Sequence, residues 1–206
     1  MTAKLGWSRG DNRLLEALLA LAAVLVGVFG VLIPALGVVG AVGPIDTREV
    51  TLDTTTRPPS AAVQEATDHG MTLTGTHHAD LAFTNPDLSQ RLLLALPELV
   101  GGLFLLLVLF LLFKMAATLR TGDVFVPENA RRLSIIGVTA LAQAVLAPTL
   151  PALTTQVLVR GTSLADEIPF SVTFTGGYVL LAFLILALAE VFRRGTKLRA
   201  DTEGLI

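Results

Sequence analysis

His69, His77 and His78 lie close together in the chain, beside Asp68 and Asp80. Imidazole and carboxylate together form a donor set for a divalent metal, and an imidazole alone can switch its charge near neutral pH. The spacing argues against shared ligation. It fits no metal signature, and His77 and His78, adjacent in an extended segment, point to opposite faces. They are read as surface histidines, with no metal and no cofactor expected. The chain has no cysteine, so it has no thiolate nucleophile and no disulfide framework. It also lacks a Ser–His pair at a recognised spacing, a Gly-rich phosphate loop and a metal motif, so nothing supports an enzyme.

Three further polar residues stand out because of where they sit. Glu98, Gln143 and Glu190 fall inside long apolar runs, where ionisable and amide groups are costly and are functional candidates by default. Glu98 follows Arg91 by seven residues, on nearly the same helical face, and is expected to pair with it or reach an interface. Glu190 precedes Arg193 and Arg194 at the i+3 and i+4 spacings that favour ion pairing. Gln143 shares its run with Pro148, Pro151 and several threonines, so that helix should face protein rather than lipid.

The elements that position these groups are four runs, at Ala17–Val42, Leu92–Phe113, Ile135–Val159 and Ser171–Phe192. Each meets the length of about 20 apolar residues that a membrane-spanning helix needs. Mean hydropathy is +0.69 and only 16% of residues are charged, against about a quarter in a soluble domain. The fold expected is mostly α: a single integral membrane domain of four transmembrane helices, over about 14–42, 92–119, 128–159 and 171–199. Gly101-Gly102 and Gly176-Gly177 would allow close helix approach. The first run is much longer than the 7–15 residues of a signal-peptide core and is read as a retained helix.

Orientation follows from the cations. Eleven of the 15 Lys and Arg residues lie in the flanks 4–13, 114–132 and 193–199, and four (Arg48, Arg57, Arg91, Arg160) lie elsewhere. The positive-inside rule then puts both termini in the cytoplasm. The net charge of −2 gives no basic signature for direct nucleic-acid binding.

The segment 44–90, between the first two spans, would be extracytoplasmic. "EVTLDT", "GMTLTGT" and "ADLAFT" alternate, with turn residues at Gly70, Gly75 and Asn85-Pro86, so an antiparallel unit of two to four strands is expected. So small a unit must pack on the helix ends to be stable.

The loop "TGDVFVPENARRL" joins the second and third spans. Gly122 permits the turn, Pro127 suits a first helical turn, and Glu128 complements the positive helix end. Arg131 and Arg132 suit anionic headgroups. The closing stretch "LAEVFRRGTKLRADTEGLI" keeps helical character and ends on Leu205 and Ile206, read as a frayed tail or a docking peptide.

Together "GDVFVPENARRLSIIG" and that closing stretch resemble the paired signatures of the bacterial family called domain of unknown function 2975 (DUF2975). The resemblance implies an integral protein of the bacterial cytoplasmic membrane, of unestablished biochemistry. Many members resemble the membrane half of a pair whose other half is a small cytoplasmic helix-turn-helix regulator. By that resemblance Phe125, Glu128, Asn129, Arg131, Arg132, Arg193, Arg194 and Gly195 form one cytoplasmic partner-binding surface. The function expected is a membrane sensor or sequestering partner of such a transcription regulator. The alternative is a small transporter, channel or accessory subunit, for which Gln143, the proline-broken third span and Glu98 would supply the polar path.

Overall fold

The computed structural model describes residues 9–43, 45–51, 63–68, 71–75, 78–120, 126–166 and 168–203. Helix α1 (Arg9–Leu25) runs through a π-wound stretch (Val26–Leu32) into a short α2 (Ile33–Val38). Four strands follow, β1 (Thr47–Thr51), β2 (Val63–Asp68), β3 (Met71–Gly75) and β4 (His78–Phe83). Then come α3 (Leu88–Arg120), α4 (Pro127–Val159), a 3-10 turn (Ser163–Asp166) and α5 (Gly176–Glu203).

Four helical spans, Arg13–Val38, Leu88–Thr118, Pro127–Val159 and Gly176–Arg199, are long and apolar enough to cross a membrane. This is the make-up of a multi-pass membrane protein. Large apolar side chains such as Leu18, Phe29, Phe110, Val138 and Phe183 stand exposed on these helices and need an apolar solvent. In α4, 28% of the most apolar window is buried, against 6–11% in the other three spans. Its threonines, its glutamine and its two prolines are thus the ones given protein neighbours.

The first span departs from the single regular helix expected. Its π-wound stretch ends just before Pro34. Proline has no N–H for the carbonyl four residues back, and a shift of hydrogen-bond register is one way past that gap.

Backbone contacts divide the chain into two units, one of residues 31–100 and 146–174, the other of residues 1–30, 101–145 and 175–206. The first unit holds the sheet, in the order β1-β4-β3-β2 with antiparallel neighbours. The alternating segments became β1, β3 and β4. Strand β2, "VQEATD", lacks a clean alternation and was not foreseen. Arg48 pairs with Leu81 and Val50 with Ala79, so Arg48, Val50 and Leu81 share the inner face. Val50, Leu81 and Phe83 pack with Leu94, Leu158, Val159, Leu164 and Ile168. The sheet therefore rests on the start of α3, the end of α4 and the 3-10 turn, and gains the burial that an isolated sheet of this size lacks.

Helix α3 starts at Leu88, ahead of the expected residue 92, because Asp87 caps it. The Asp87 carboxylate accepts from the Gln90 amide (2.7 Å) and the Ser89 hydroxyl (2.8 Å), and the Asp87 amide donates to Gln90 Oε1 (3.0 Å). This reciprocal box satisfies donors that a helix start leaves open. Near the end of the first span, Gly40 adopts φ +76°, and a Cβ there would lie 2.8 Å from an Arg91 guanidinium nitrogen. Both the conformation and the space require glycine.

In the second unit glycines bring helices together, although not all of those expected. A Cβ on Gly30 would sit 3.5 Å from the Gly102 Cα, which is a close crossing of the first span with α3. A Cβ on Gly137 would sit 2.6 Å from Leu186 Cδ2, so α4 and α5 touch through that glycine. Gly176 and Gly177 instead start α5 and face open space. They serve the helix entry rather than a helix crossing.

Candidate functional site

Residues 121–125, and with them Phe125 and Gly122, lie outside the described residues, as do His69, His77, Leu205, Ile206 and the side chain of His78. The rest of the loop signature opens α4. The Asn129 and Ala130 amides donate to the Val126 carbonyl at 3.0 and 3.4 Å, and Glu128 stands exposed in the first turn, at the positive helix end.

Asn129 was expected on an exposed surface, and the structure places it inside. Its relative exposure is 2%. Its Nδ2 donates to Thr118 Oγ1 at 2.7 Å, and its Oδ1 accepts from Arg132 Nη1 at 2.9 Å. Arg132 also donates to the Lys114 carbonyl at 3.3 Å. One amide uses donor and acceptor at once to fasten the last turns of α3 to the first turn of α4. An amide this buried needs both bonds, so Asn129 ties α3 to α4 and does not turn its amide outward. Arg132 is half-buried by the same network, while Arg131 is exposed.

The tail signature forms the outward-facing part. Glu190 accepts from Arg193 Nε (2.7 Å) and Nη2 (2.9 Å) and from Arg194 Nε (2.8 Å). Both arginine side chains are more than 70% exposed, so solvent screens the pairs and they add little to stability. Their effect is to fix a guanidinium pair in space. With Pro127, Thr196 and Lys197 they line a recess of about 520 Å³. Three cations and one carboxylate leave this recess two charges positive. Loop and tail signatures thus meet on one surface, through Pro127 for the loop and residues 190–197 for the tail. Gly195 is half-buried in the same turn. Lys197 and Thr196 were not singled out from the sequence, although they continue the helical face of Arg193 and Arg194 at i+3 and i+4.

Of the two outcomes expected for Glu98, its exposure fits a carboxylate that reaches an interface, and its charge also influences Arg48. Arg91 turns its Nε to the Pro86 carbonyl (2.9 Å), and the charge that feels Glu98 is Arg48. Arg48 reaches from the inner face of β1 to the hydroxyls of Thr154 and Thr155 and to the carbonyls of Leu93 (2.9 Å) and Leu94 (2.6 Å). Burial lowers the guanidinium pKa from its ordinary value, and the Glu98 carboxylate opposes that shift. The group remains a cation with its donors placed.

Gln143 lies beside a mostly apolar groove of about 440 Å³, lined also by Gly101, Phe104 and Thr139. Its Oε1 is buried and finds no hydrogen-bond partner among the described residues. Glu98, on the sheet-bearing unit, is exposed and does not line this groove.

No curated protein and no solved structure matches the chain. The pattern of the family described as Protein of unknown function (DUF2975) matches residues 76–206. That match takes in β4, the last three spans, the Asn129 lock and the cationic recess, and it leaves the first span and most of the sheet outside. The chain belongs to the DUF2975 family.

Proposed function

We infer that this protein is a membrane-embedded sensor or sequestering partner for a small cytoplasmic helix-turn-helix regulator, docked at the recess of Pro127, Glu190, Arg193, Arg194 and Lys197. The observation that carries this reading is the meeting of the loop and tail signatures at a recess with a net positive charge. An acidic face of a cytoplasmic partner fits it by charge complementarity. The distribution of Lys and Arg supports a cytoplasmic position for this end and for both termini, in the bacterial cytoplasmic membrane, with the sheet on the outer side.

The test is gentle purification of the tagged protein from its native membrane, followed by identification of what accompanies it. A small DNA-binding protein recovered with the wild type and lost from Arg194→Glu, which leaves the Asn129 lock intact, supports the reading. The same recovery from Arg194→Glu and from Lys197→Glu removes the recess as the docking surface. Recovery of a transport subunit in place of a regulator moves the assignment to an accessory membrane protein.

A further inference from the structure

The cationic recess lies where α5 leaves its apolar run. That run ends at Phe192, and Arg193 follows directly. Leu184, Leu188 and Val191 stand exposed at i, i+4 and i+7, so they form one face of the helix. In a membrane span such side chains meet acyl chains. Arg194 and Lys197 follow Val191 by three and six residues, about 4.5 and 9 Å further along the axis. The headgroup layer is about 5–8 Å thick on each side of the hydrocarbon. The cations of the recess thus begin at the depth of lipid phosphates.

Their donors are arranged for an anion. Glu190 accepts from Nε and Nη2 of Arg193 and from Nε of Arg194. Both terminal nitrogens of Arg194, and Nη1 of Arg193, are left to donate elsewhere. A guanidinium held by its Nε offers parallel N–H bonds to two oxygens of one phosphate. Lys197 makes no ion pair among the described residues and adds a point charge. Thr196 already donates its hydroxyl to the Arg193 carbonyl at 2.8 Å, so the remaining side-chain donors are all cationic. A phosphodiester brings one negative charge to a recess that is two charges positive. One molecule that carries both an acyl chain and a phosphate matches the apolar face and the cations that end it.

We propose that the recess binds the phosphate of an anionic phospholipid, with Arg194 and Lys197 donating to its oxygens and an acyl chain along Leu184, Leu188 and Val191. The lipid site does not depend on the regulator reading, since it needs no second protein.

The test is thermal unfolding of the full chain, without partner, in zwitterionic detergent micelles at low salt. Dioctanoyl phosphatidylglycerol is titrated in, with dioctanoyl phosphatidylcholine and glycerol phosphate in parallel as the zwitterionic lipid and the free phosphate. A ligand that binds only the folded state raises the midpoint in a saturable way. The expected result is such a rise with phosphatidylglycerol, with half-saturation moved upward about fivefold in Arg194→Gln and in Lys197→Gln, as fits one cation lost beside an anionic headgroup. Both side chains are exposed, so the variants should fold as the wild type does. Arg131→Gln removes an exposed cation outside the recess and should leave half-saturation unchanged. An equal loss in Arg131→Gln reduces the effect to general surface charge and overturns the site. No response to phosphatidylglycerol, an equal response to phosphatidylcholine, or an unchanged response in both recess variants overturns it as well. An equal response to glycerol phosphate removes the lipid as the occupant.

Discussion

Arg48 donates to the carbonyl oxygen of Leu93 at 2.9 Å, and that carbonyl lies four residues before Pro97, inside α3. In a regular helix the acceptor at Leu93 would take the N–H of residue 97, which proline does not have. A guanidinium from a neighbouring strand supplies the missing donor. The break in the helix and the arginine on the inner face of β1 thus form one device.

Arg48→Ala should destabilise the protein by about 3 kcal/mol, since it leaves buried acceptors without a donor. Arg48→Lys should recover only part of this, because an ammonium cannot serve four acceptors as a planar fork does. Pro97→Ala restores the backbone donor, so Arg48→Ala should cost less in that background. Denaturation midpoints of the four proteins of the double-mutant cycle measure the coupling. Strict additivity would show that the arginine does not compensate for the proline.

Asn129→Ala should lower stability by about 1–3 kcal/mol, because Arg132 and Thr118 lose a buried partner. Arg193→Glu and Arg194→Glu, on an exposed surface, should leave the melting temperature nearly unchanged. Melting curves of the three variants separate the lock from the surface. A neutral Asn129→Ala would mean that the end of α3 and the start of α4 are held together by other contacts.

Gly137→Ala should cost about 1–3 kcal/mol, the range for forcing atoms into a packed contact. The new Cβ would stand 2.6 and 2.7 Å from the Cδ2 and Cγ of Leu186 and 3.2 Å from its amide nitrogen. Leu186→Ala removes the first two contacts and not the third, so the double variant should recover part of the loss. Gly176→Ala, with open space around it, should show no such cost.

The cap of α3 should be sensitive to acid. The Gln90 amide and the Ser89 hydroxyl hold the Asp87 carboxyl below its ordinary pKa. A depressed pKa in the folded state stabilises above the unfolded value, near 4, and that contribution is lost as pH falls through the folded value. Protection of the Ser89 and Gln90 amides, taken relative to the intrinsic exchange rate at each pH, should therefore fall below about pH 4 in the wild type. In Asp87→Asn it should show no acid-dependent step of this kind. Equal exchange profiles in the two proteins would show that the carboxylate is not the cap.

Much of this could be read from the chain, and the parts that could not have physical causes. Length and apolarity were enough for the four spans, because a run such as Leu92–Phe113 has few other folded uses. The strands with clean alternation were legible and β2 was not, since "VQEATD" is held by its pairing with β3 rather than by a periodic apolar face. The signal for Arg48 was present. It shares its parity with Val50, so it had to be an arginine on an apolar face, in need of acceptors, and Pro97 had already freed one. Asn129 was misplaced because a polar residue in a loop signature reads as surface, whereas its burial depends on Thr118 arriving from the preceding helix. Helical spacing relates Glu98 to Arg91, whereas its electrostatic influence on Arg48 depends on where the sheet places β1, which the spacing does not reveal.

The Arg48 clamp also sets an order on biogenesis. Its guanidinium is translated 45 residues before the Leu93 carbonyl and 106 residues before the Thr154 hydroxyl. Until α4 has left the ribosome, Arg48 can bond the Leu93 and Leu94 carbonyls but not the Thr154 and Thr155 hydroxyls. A chain arrested after α3 would hold Arg48 with only two of its four acceptors in place. Completion of α4 supplies the other two, so the clamp can close only after the third span has been made.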